Sequence, residues 1–148
     1  MDLSRDFREF LELLDSNGVR YLLVGGYALA AHGHPRYTKD LDVWVWPESA
    51  NAQRIIRALE EFGFGGLGLV KEDFETGEQV VQLGSEPQRI DILTFADGLS
   101  FDAAYANRVM IEVAGRRVPV LSLEDLRTNK LATGRPRDIA DVADLPPT

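Results

Sequence analysis

The sequence predicts an α+β fold, an α/β two-layer arrangement in which one mixed β-sheet packs against helices. Patterns typical of helix, strand, helix, strand and helix follow one another in the first half of the chain, and several strands and then helices follow in the second. Apolar residues make up 45% of the 148 residues, which is enough to form a hydrophobic core. We therefore expect a single domain over residues 1–145 and a frayed tail over residues 146–148.

Amphipathic helices and buried strands alternate in the first half of the chain. One helix is predicted near the N-terminus from apolar residues at the spacing i, i+3, i+4 and i+7, namely Phe7, Phe10, Leu11 and Leu14. A second is predicted over residues 49–62, where the apolar residues again share one face, namely Ile55, Ile56, Leu59 and Phe62. The apolar runs at residues 21–24 and 40–45 are typical of strands, and a short helix is expected over residues 27–32.

The second half of the chain carries shorter patterns. Residues 79–83 and 89–95 are expected to form strands, residues 101–105 a short helix, and residues 109–113 and 118–121 a hairpin with Gly115, Arg116 and Arg117 in its turn. Ser122 and Asp125 resemble a capping box that starts a helix ending near Leu131. A last helix should begin near Pro136 and turn three apolar residues inward, namely Ile139, Val142 and Ala143.

The charge and composition limit the possible classes of function. A formal net charge of −8 makes the chain a poor general binder of nucleic acid, but it suits a divalent cation or a cationic substrate. The sequence contains no cysteine, which excludes disulfides and thiolate metal sites. No apolar run is long enough to span a bilayer, and the N-terminus lacks the pattern of a signal peptide. We therefore expect a cytoplasmic protein.

Asp40 and Asp42 are the first candidate site residues. They are separated by one residue in a predicted strand, so both carboxylates point to the same face. Two like charges held this close repel each other, and a bound cation, a neighbouring Lys or Arg, or one raised pKa must offset the repulsion. A hard divalent ion with oxygen ligands is the natural occupant. The alternative is that each residue is a solvated or turn-capping aspartate.

Asp91 is a candidate third carboxylate. It lies in a predicted strand with apolar residues on both sides, at Ile90 and Ile92. If that strand neighbours the one that carries Asp40 and Asp42, three carboxylates converge. Such a cluster can hold two Mg²⁺ ions about 4 Å apart, the arrangement that clamps the attacking and leaving oxygens in phosphoryl transfer.

The Gly25-Gly26 turn joins a predicted strand to a predicted helix. Glycines let the backbone approach a phosphate closely, although the spacing matches neither a dinucleotide-binding fingerprint nor a P-loop, and a purely steric turn is the alternative. Just before the acidic pair, three polar residues either contact nucleotide phosphates or balance the charge of Asp40, namely Arg36, Thr38 and Lys39. His32 and His34 are expected to be structural or solvated rather than metal ligands.

Taken together, the segments 24–29 and 36–43, V-G-G-Y-A-L and R-Y-T-K-D-L-D-V, resemble the DNA polymerase β-like nucleotidyltransferase superfamily. The pair His32-Gly33 and the spacing Arg36-x-Thr38-x-Asp40 look like the small bacterial nucleotidyltransferases related to abortive-infection toxins of toxin–antitoxin systems. The segments 89–93 and 121–145 extend the likeness, whereas residues 63–86 carry no matching feature. The resemblance implies the nucleotidyltransferase fold.

The resemblance also implies roles for individual residues. Gly25 and Gly26 would line the triphosphate of a nucleoside triphosphate substrate, and Asp40 and Asp42 would bind Mg²⁺, with two ions expected. Asp91 matches the third carboxylate of the superfamily. Two further matches lie in the C-terminal segment: Lys130 corresponds to a lysine that contacts nucleotide phosphates, and either Asp138 or Asp141 corresponds to a late acidic motif.

Three hypotheses of function follow. The first is metal-dependent transfer of a nucleoside monophosphate from a nucleoside triphosphate to an unknown acceptor, an RNA end or a protein, within a toxin–antitoxin system. The second is a catalytically silent binding module or antitoxin partner. The third is an antibiotic nucleotidyltransferase that acts on an aminoglycoside-like substrate, to which the charge of −8 is suited. Because the chain is short, its acceptor site is expected to need a protein partner or a second copy.

Overall fold

A computed structural model describes residues 3–34, 38–84 and 88–146, and Arg36 lies outside these ranges. Helices, strands and two 3₁₀ turns follow one another along the chain in this order: α1 Arg5–Ser16, β1 Tyr21–Val24, α2 Gly25–Ala31, β2 Leu41–Val45, α3 Ser49–Glu61, the 3₁₀ turns Gly65–Leu67 and Lys71–Phe74, β3 Val80–Leu83, β4 Ile90–Leu93, α4 Phe101–Ala106, β5 Val109–Val113, β6 Arg116–Val120, α5 Leu123–Thr133 and α6 Pro136–Asp144. Among the described residues, no helix is long and apolar enough to cross a membrane.

The strands form one mixed sheet in the order β3-β4-β2-β1-β6-β5. Strand β2 pairs antiparallel with β1 and parallel with β4, whereas β1 pairs parallel with β6. The two edge strands pair antiparallel with their neighbours. This arrangement confirms the predicted α+β fold with a mixed sheet, and it places β2 and β4 side by side near the middle of the sheet.

Helices cover the sheet and bury the apolar stripes that the sequence pattern identifies. Helix α1 buries Phe7, Phe10, Leu11 and Leu14, as its spacing predicts, and the ring of Phe10 lies 5.3 Å from that of Phe62 at the end of α3. On β2, Trp44 is buried against Phe101 of α4, with the rings edge to face at 5.2 Å. The strand that carries Asp42 is therefore anchored by a buried residue two positions further along.

The last helix differs from the prediction. Ile139 is 48% exposed, Ala143 is exposed and Val142 is only half-buried, so the expectation that these three residues face the core is wrong. The buried residue of α6 is Asp138, which lies against α5. The hairpin turn is also shorter than predicted, because Ala114 and Gly115 adopt positive φ angles of 52° and 82° and Arg116 already belongs to β6.

Candidate active site

The parallel pairing of β2 with β4 brings the three predicted carboxylates together. The register places Asp42 directly opposite Asp91, and Asp40 is the residue immediately before β2. Residues at equivalent register positions of neighbouring strands point to the same face, so Asp42 and Asp91 share one face of the sheet. Asp91 is only 8% exposed. The condition on which the sequence prediction depended, that the two strands are neighbours, is met.

The pKa of Asp42 is strongly raised. Burial raises the pKa of Asp42, the negative charges of Asp91 and Asp40 and a hydrogen bond with Asp91 raise it further, and Arg89 opposes the rise, with a result of about 7. Among the described residues, Arg89 therefore offsets the negative charge of the cluster only in part. The sequence analysis expected this repulsion to be offset by a cation, a neighbouring base or a raised pKa, and the structure shows the last two together.

The neighbouring base is Arg89, which the sequence analysis did not select. Its Nε donates to Asp91 Oδ1 at 2.8 Å and its Nη2 to Asp91 Oδ2 at 3.1 Å. The same Nη2 lies 3.2 Å from Asp40 Oδ2, and the backbone N–H of Arg89 donates to Asp40 Oδ1 at 3.3 Å. The sequence did contain a signal for Arg89. It lies two residues before Asp91 in a predicted strand, and residues i and i+2 of an extended segment point to the same face.

The glycine turn packs directly against the residues around the acidic pair. Gly25 begins α2 with φ at 68°, and a Cβ at this position would collide with the carboxylate of Asp42. A Cβ on Gly26 would lie 2.8 Å from the Cβ of Thr38. Thr38 in turn donates from Oγ1 to the backbone carbonyl of Asp40 at 3.2 Å. Both glycines are therefore required sterically, which the sequence analysis had kept as the alternative to phosphate contact.

A second ionic cluster joins α5 to α6. Lys130 is buried, and its Nζ lies 3.2 Å from Asp138 Oδ1 and 3.0 Å from Asp141 Oδ2. Asp138 also accepts hydrogen bonds at 2.7 Å from Thr133 Oγ1 and from Arg135 Nε. Although burial raises the pKa of Asp138, the hydrogen bond from Thr133 and the charge and hydrogen bond of Lys130 outweigh it and lower that pKa. The sequence left Asp138 and Asp141 as alternatives, and both contact Lys130.

The two clusters face each other across a cleft of about 530 Å³. All of the predicted site residues that the structure describes line this cleft, namely Gly25, Gly26, Thr38, Lys39, Asp40, Asp42, Asp91 and Lys130. Further lining residues are Arg89, Asn129, Arg135, Arg137 and Asp138. The sequence offered no signal for Asn129, whose amide donates to the backbone carbonyl of Asp97 at 3.0 Å. His32 is structural, as expected, because its Nε2 hydrogen-bonds the carbonyl of Leu121 at 2.8 Å.

A second cleft of about 470 Å³ adjoins the first on the side of β3 and β4. The two clefts share Gly25, Asp42, Asp91, Asn129 and Arg135. The lining of the second cleft is mixed: besides the shared residues it contains Asp97 and Thr133 and five apolar residues, namely Val24, Val80, Leu93, Phe95 and Ala96. Two clefts, each large enough for a small molecule, therefore meet at Asp42 and Asp91.

A family of nucleotidyltransferases matches almost the whole chain. The chain belongs to the family described as "Nucleotidyltransferase of unknown function (DUF6036)", which matches residues 2–145. This confirms the resemblance to the nucleotidyltransferase superfamily, whereas the abortive-infection subgroup stays a prediction. No curated protein sequence is similar enough to the chain to count as a match.

Solved structures share the fold. The Thermotoga maritima protein TM1012, assigned as a nucleotidyltransferase, is 20% identical with a TM-score of 0.63, and the match covers 95% of this chain and 89% of that one. The lincosamide antibiotic adenylyltransferase LnuA is 17% identical with a TM-score of 0.56, over 95% and 94% of the two chains. ANT(2″)-Ia, solved with adenylyl-2″-tobramycin, is 16% identical with a TM-score of 0.56, over 95% and 79%.

Proposed function

We propose that this protein transfers a nucleoside monophosphate from a nucleoside triphosphate to an acceptor hydroxyl, with a divalent metal ion as cofactor. One observation carries the proposal: a single cleft collects the glycine turn, three carboxylates from adjacent strands and a buried lysine. The family and the fold of the solved structures support the same class of reaction. Phosphoryl-group transfer depends mainly on positioning and on charge stabilisation, and these residues provide both.

The donor set fits a hard divalent cation. Asp40 and Asp42 present carboxylate oxygens, the ligands that Mg²⁺ prefers. Burial raises the pKa of Asp42, and the negative charges of Asp91 and Asp40, which a cation would offset, raise it further. Asp40 and Asp42 would hold the ion, and the superfamily pattern adds Asp91. When bound, the ion supplies positive charge to the triphosphate.

In the proposed reaction, the acceptor oxygen forms a new bond to the α-phosphorus while the bond from that phosphorus to the pyrophosphate oxygen breaks. The proton of the attacking hydroxyl passes to a carboxylate where the two clefts meet, Asp42 or Asp91. Pyrophosphate is the leaving group. Its charge is stabilised by the basic residues of the first cleft, namely Lys39, Arg135, Arg137 and Lys130.

Lys130 has a donor left for this role. An ammonium group has three N–H donors, and two of them are used by Asp138 and Asp141. The carboxylates hold the lysine head in place, and the third N–H is available to a phosphate oxygen in the cleft. We expect Lys130 to contribute to nucleotide affinity through this position.

The experiment is calorimetric titration of each nucleoside triphosphate with Mg²⁺, followed by transfer assays with labelled nucleotide. Wild type is compared with Asp42→Asn and with Asp102→Asn, an exposed aspartate of α4 outside both clefts. We expect Asp42→Asn alone to lose Mg²⁺-dependent binding and transfer. An active Asp42→Asn protein would end the assignment. Absence of nucleotide binding in wild type would favour the silent binding module or antitoxin partner.

The second cleft favours a small hydroxylated acceptor with an apolar part. A volume of about 470 Å³ is typical of small-molecule sites, and the apolar part of its lining does not suit a nucleic acid backbone. LnuA and ANT(2″)-Ia, which share the fold, act on a lincosamide and an aminoglycoside according to their names and complexes. A panel of lincosamides, aminoglycosides and RNA 3′ ends, tested as acceptors of labelled nucleotide, separates this class from an RNA acceptor of toxin type. Labelling of RNA alone would exclude it.

A further inference from the structure

Arg89 occupies a position inside the carboxylate cluster rather than on its rim. It contacts all four carboxylate oxygens of Asp40 and Asp91, with distances from 2.8 to 3.3 Å. Its side chain is only 27% exposed. Arginine binds a carboxylate most strongly when two parallel N–H groups meet both oxygens, and this is the geometry toward Asp91. A cation is therefore already built into the cluster by the chain itself.

The pairing leaves Asp91 poorly suited to share a metal ion. Both of its oxygens accept N–H groups of Arg89. Among the described residues, no three His, Cys, Asp or Glu side chains converge closely enough to ligate one metal ion. Asp40 differs, because its contacts with Arg89 are longer, at 3.2 and 3.3 Å, and 25% of its side chain is exposed. The oxygens open to an added ion are thus mainly those of Asp40 and Asp42.

We propose that Arg89 takes the place of one of the two divalent ions expected for such a cluster, so that the active site binds a single ion at Asp40 and Asp42. Arg89 acts through Asp91 and is a positioning residue. It holds that carboxylate at the meeting point of the two clefts, where the acceptor hydroxyl loses its proton. The inference rests on the proposed metal site.

The experiment counts bound ions directly. Mn²⁺ is titrated into the protein without nucleotide, and free Mn²⁺ is followed by electron paramagnetic resonance. We expect one Mn²⁺ per chain in wild type and two in Arg89→Gln, because the substitution frees both oxygens of Asp91. The double variant Arg89→Gln/Asp91→Asn should return to one ion. Arg57→Gln, which removes the same charge from an exposed position on α3, is the matched control and should bind one ion.

Asp91→Asn in the wild-type background tests the inference without disturbing Arg89. If Asp91 is held by Arg89 and not by metal, the variant should still bind one Mn²⁺, with affinity within about tenfold of wild type, whereas Asp42→Asn should bind none. This comparison remains decisive if Arg89→Gln does not fold. The unfolding temperature with and without Mn²⁺ reports folding of each variant.

The outcomes separate the inference from the proposed function. Two ions in wild type, or loss of Mn²⁺ binding in Asp91→Asn, would overturn the role of Arg89 and leave the metal-dependent function standing. The same count in wild type and in folded Arg89→Gln would also overturn it. If neither wild type nor any variant binds Mn²⁺, the metal site itself fails and both proposals fall.

Discussion

The two ionic clusters of the cleft contain similar residues but differ in the ratio of acidic to basic side chains. On β2 and β4, three aspartates meet one arginine, and the pKa of Asp42 rises to about 7. Between α5 and α6, two aspartates meet Lys130, Thr133 and Arg135, and the pKa of Asp138 falls. Among the residues that the structure describes, the three aspartates of the first cluster share the guanidinium of Arg89, whereas Lys130 and Arg135 offset the two aspartates of the second. Under-compensation marks the cluster suited to a cation, and full compensation marks the one that holds the helices together.

The largest expected effect comes from removing a carboxylate of the under-compensated cluster. Asp42→Asn should lower nucleotide transfer by more than about 100-fold, beyond the range typical of residues that only support a metal ligand. The metal-free variant should be more stable than wild type, because a buried like charge is gone. Transfer assays and unfolding in the presence of EDTA measure the two effects. A variant that loses both activity and stability would contradict the distinction between the clusters.

The opposite result is expected in the compensated cluster. Lys130→Met leaves Asp138 and Asp141 without their shared cation, and removing one partner of a buried ion pair costs about 3–5 kcal/mol. Urea unfolding of the metal-free protein measures this loss. Lys71→Met, a change at an exposed lysine of the second 3₁₀ turn, should alter stability by less than about 0.5 kcal/mol. Equal stability of the two variants would show that the α5–α6 cluster is not structural.

The pH dependence of stability should also distinguish the clusters. An acid whose pKa is raised on folding binds more protons in the native state, so metal-free wild type should lose stability between pH 3.8 and about 7. A shift of this size corresponds to on the order of 2–4 kcal/mol. Asp42→Asn should remove this slope. Asp138, whose pKa is lowered, contributes stability that is lost as the pH falls below 3.8. Unfolding temperatures across this pH range in EDTA test both slopes, and a wild-type curve that rises toward pH 7 would contradict the first.

A smaller effect is expected at the glycine turn. It reports how closely the turn packs against the first cluster. Gly26→Ala places a methyl group 2.8 Å from the Cβ of Thr38, and such overpacking costs about 1–3 kcal/mol. Nucleotide affinity should fall as the turn shifts away from Asp40 and Asp42. Gly66→Ala is the matched control, because its Cβ would meet no atom within 4 Å. Thermal unfolding and nucleotide titration of the two variants measure the difference; equal values would mean that the turn tolerates a side chain.

Local patterns were sufficient for most of the fold. The apolar spacing of α1 identifies its buried face, because burial repeats with the period of the helix. On β2 only Asp42 is partly exposed, since Trp44 is buried on the same face. The same reasoning failed for α6, where Ile139 is exposed and Asp138 is buried. The reason is that Lys130, eight residues earlier, lies opposite that face and forms ion pairs with it. A pattern within one helix contains no information about the charge of the helix that it packs against.

The sequence by itself identified most of the residues of the candidate site: an acidic pair after a glycine turn, a third aspartate in a later strand, and a lysine before the last helix. Each of these signals is local, because it depends on spacing within one element. Tertiary structure alone decided the pairing of those charges. The parallel register of β2 and β4 places Asp42 opposite Asp91 and brings Arg89 onto Asp40, 49 residues away in the chain. Whether a charge is compensated depends on distances of a few ångströms between separate elements, and packing sets those distances.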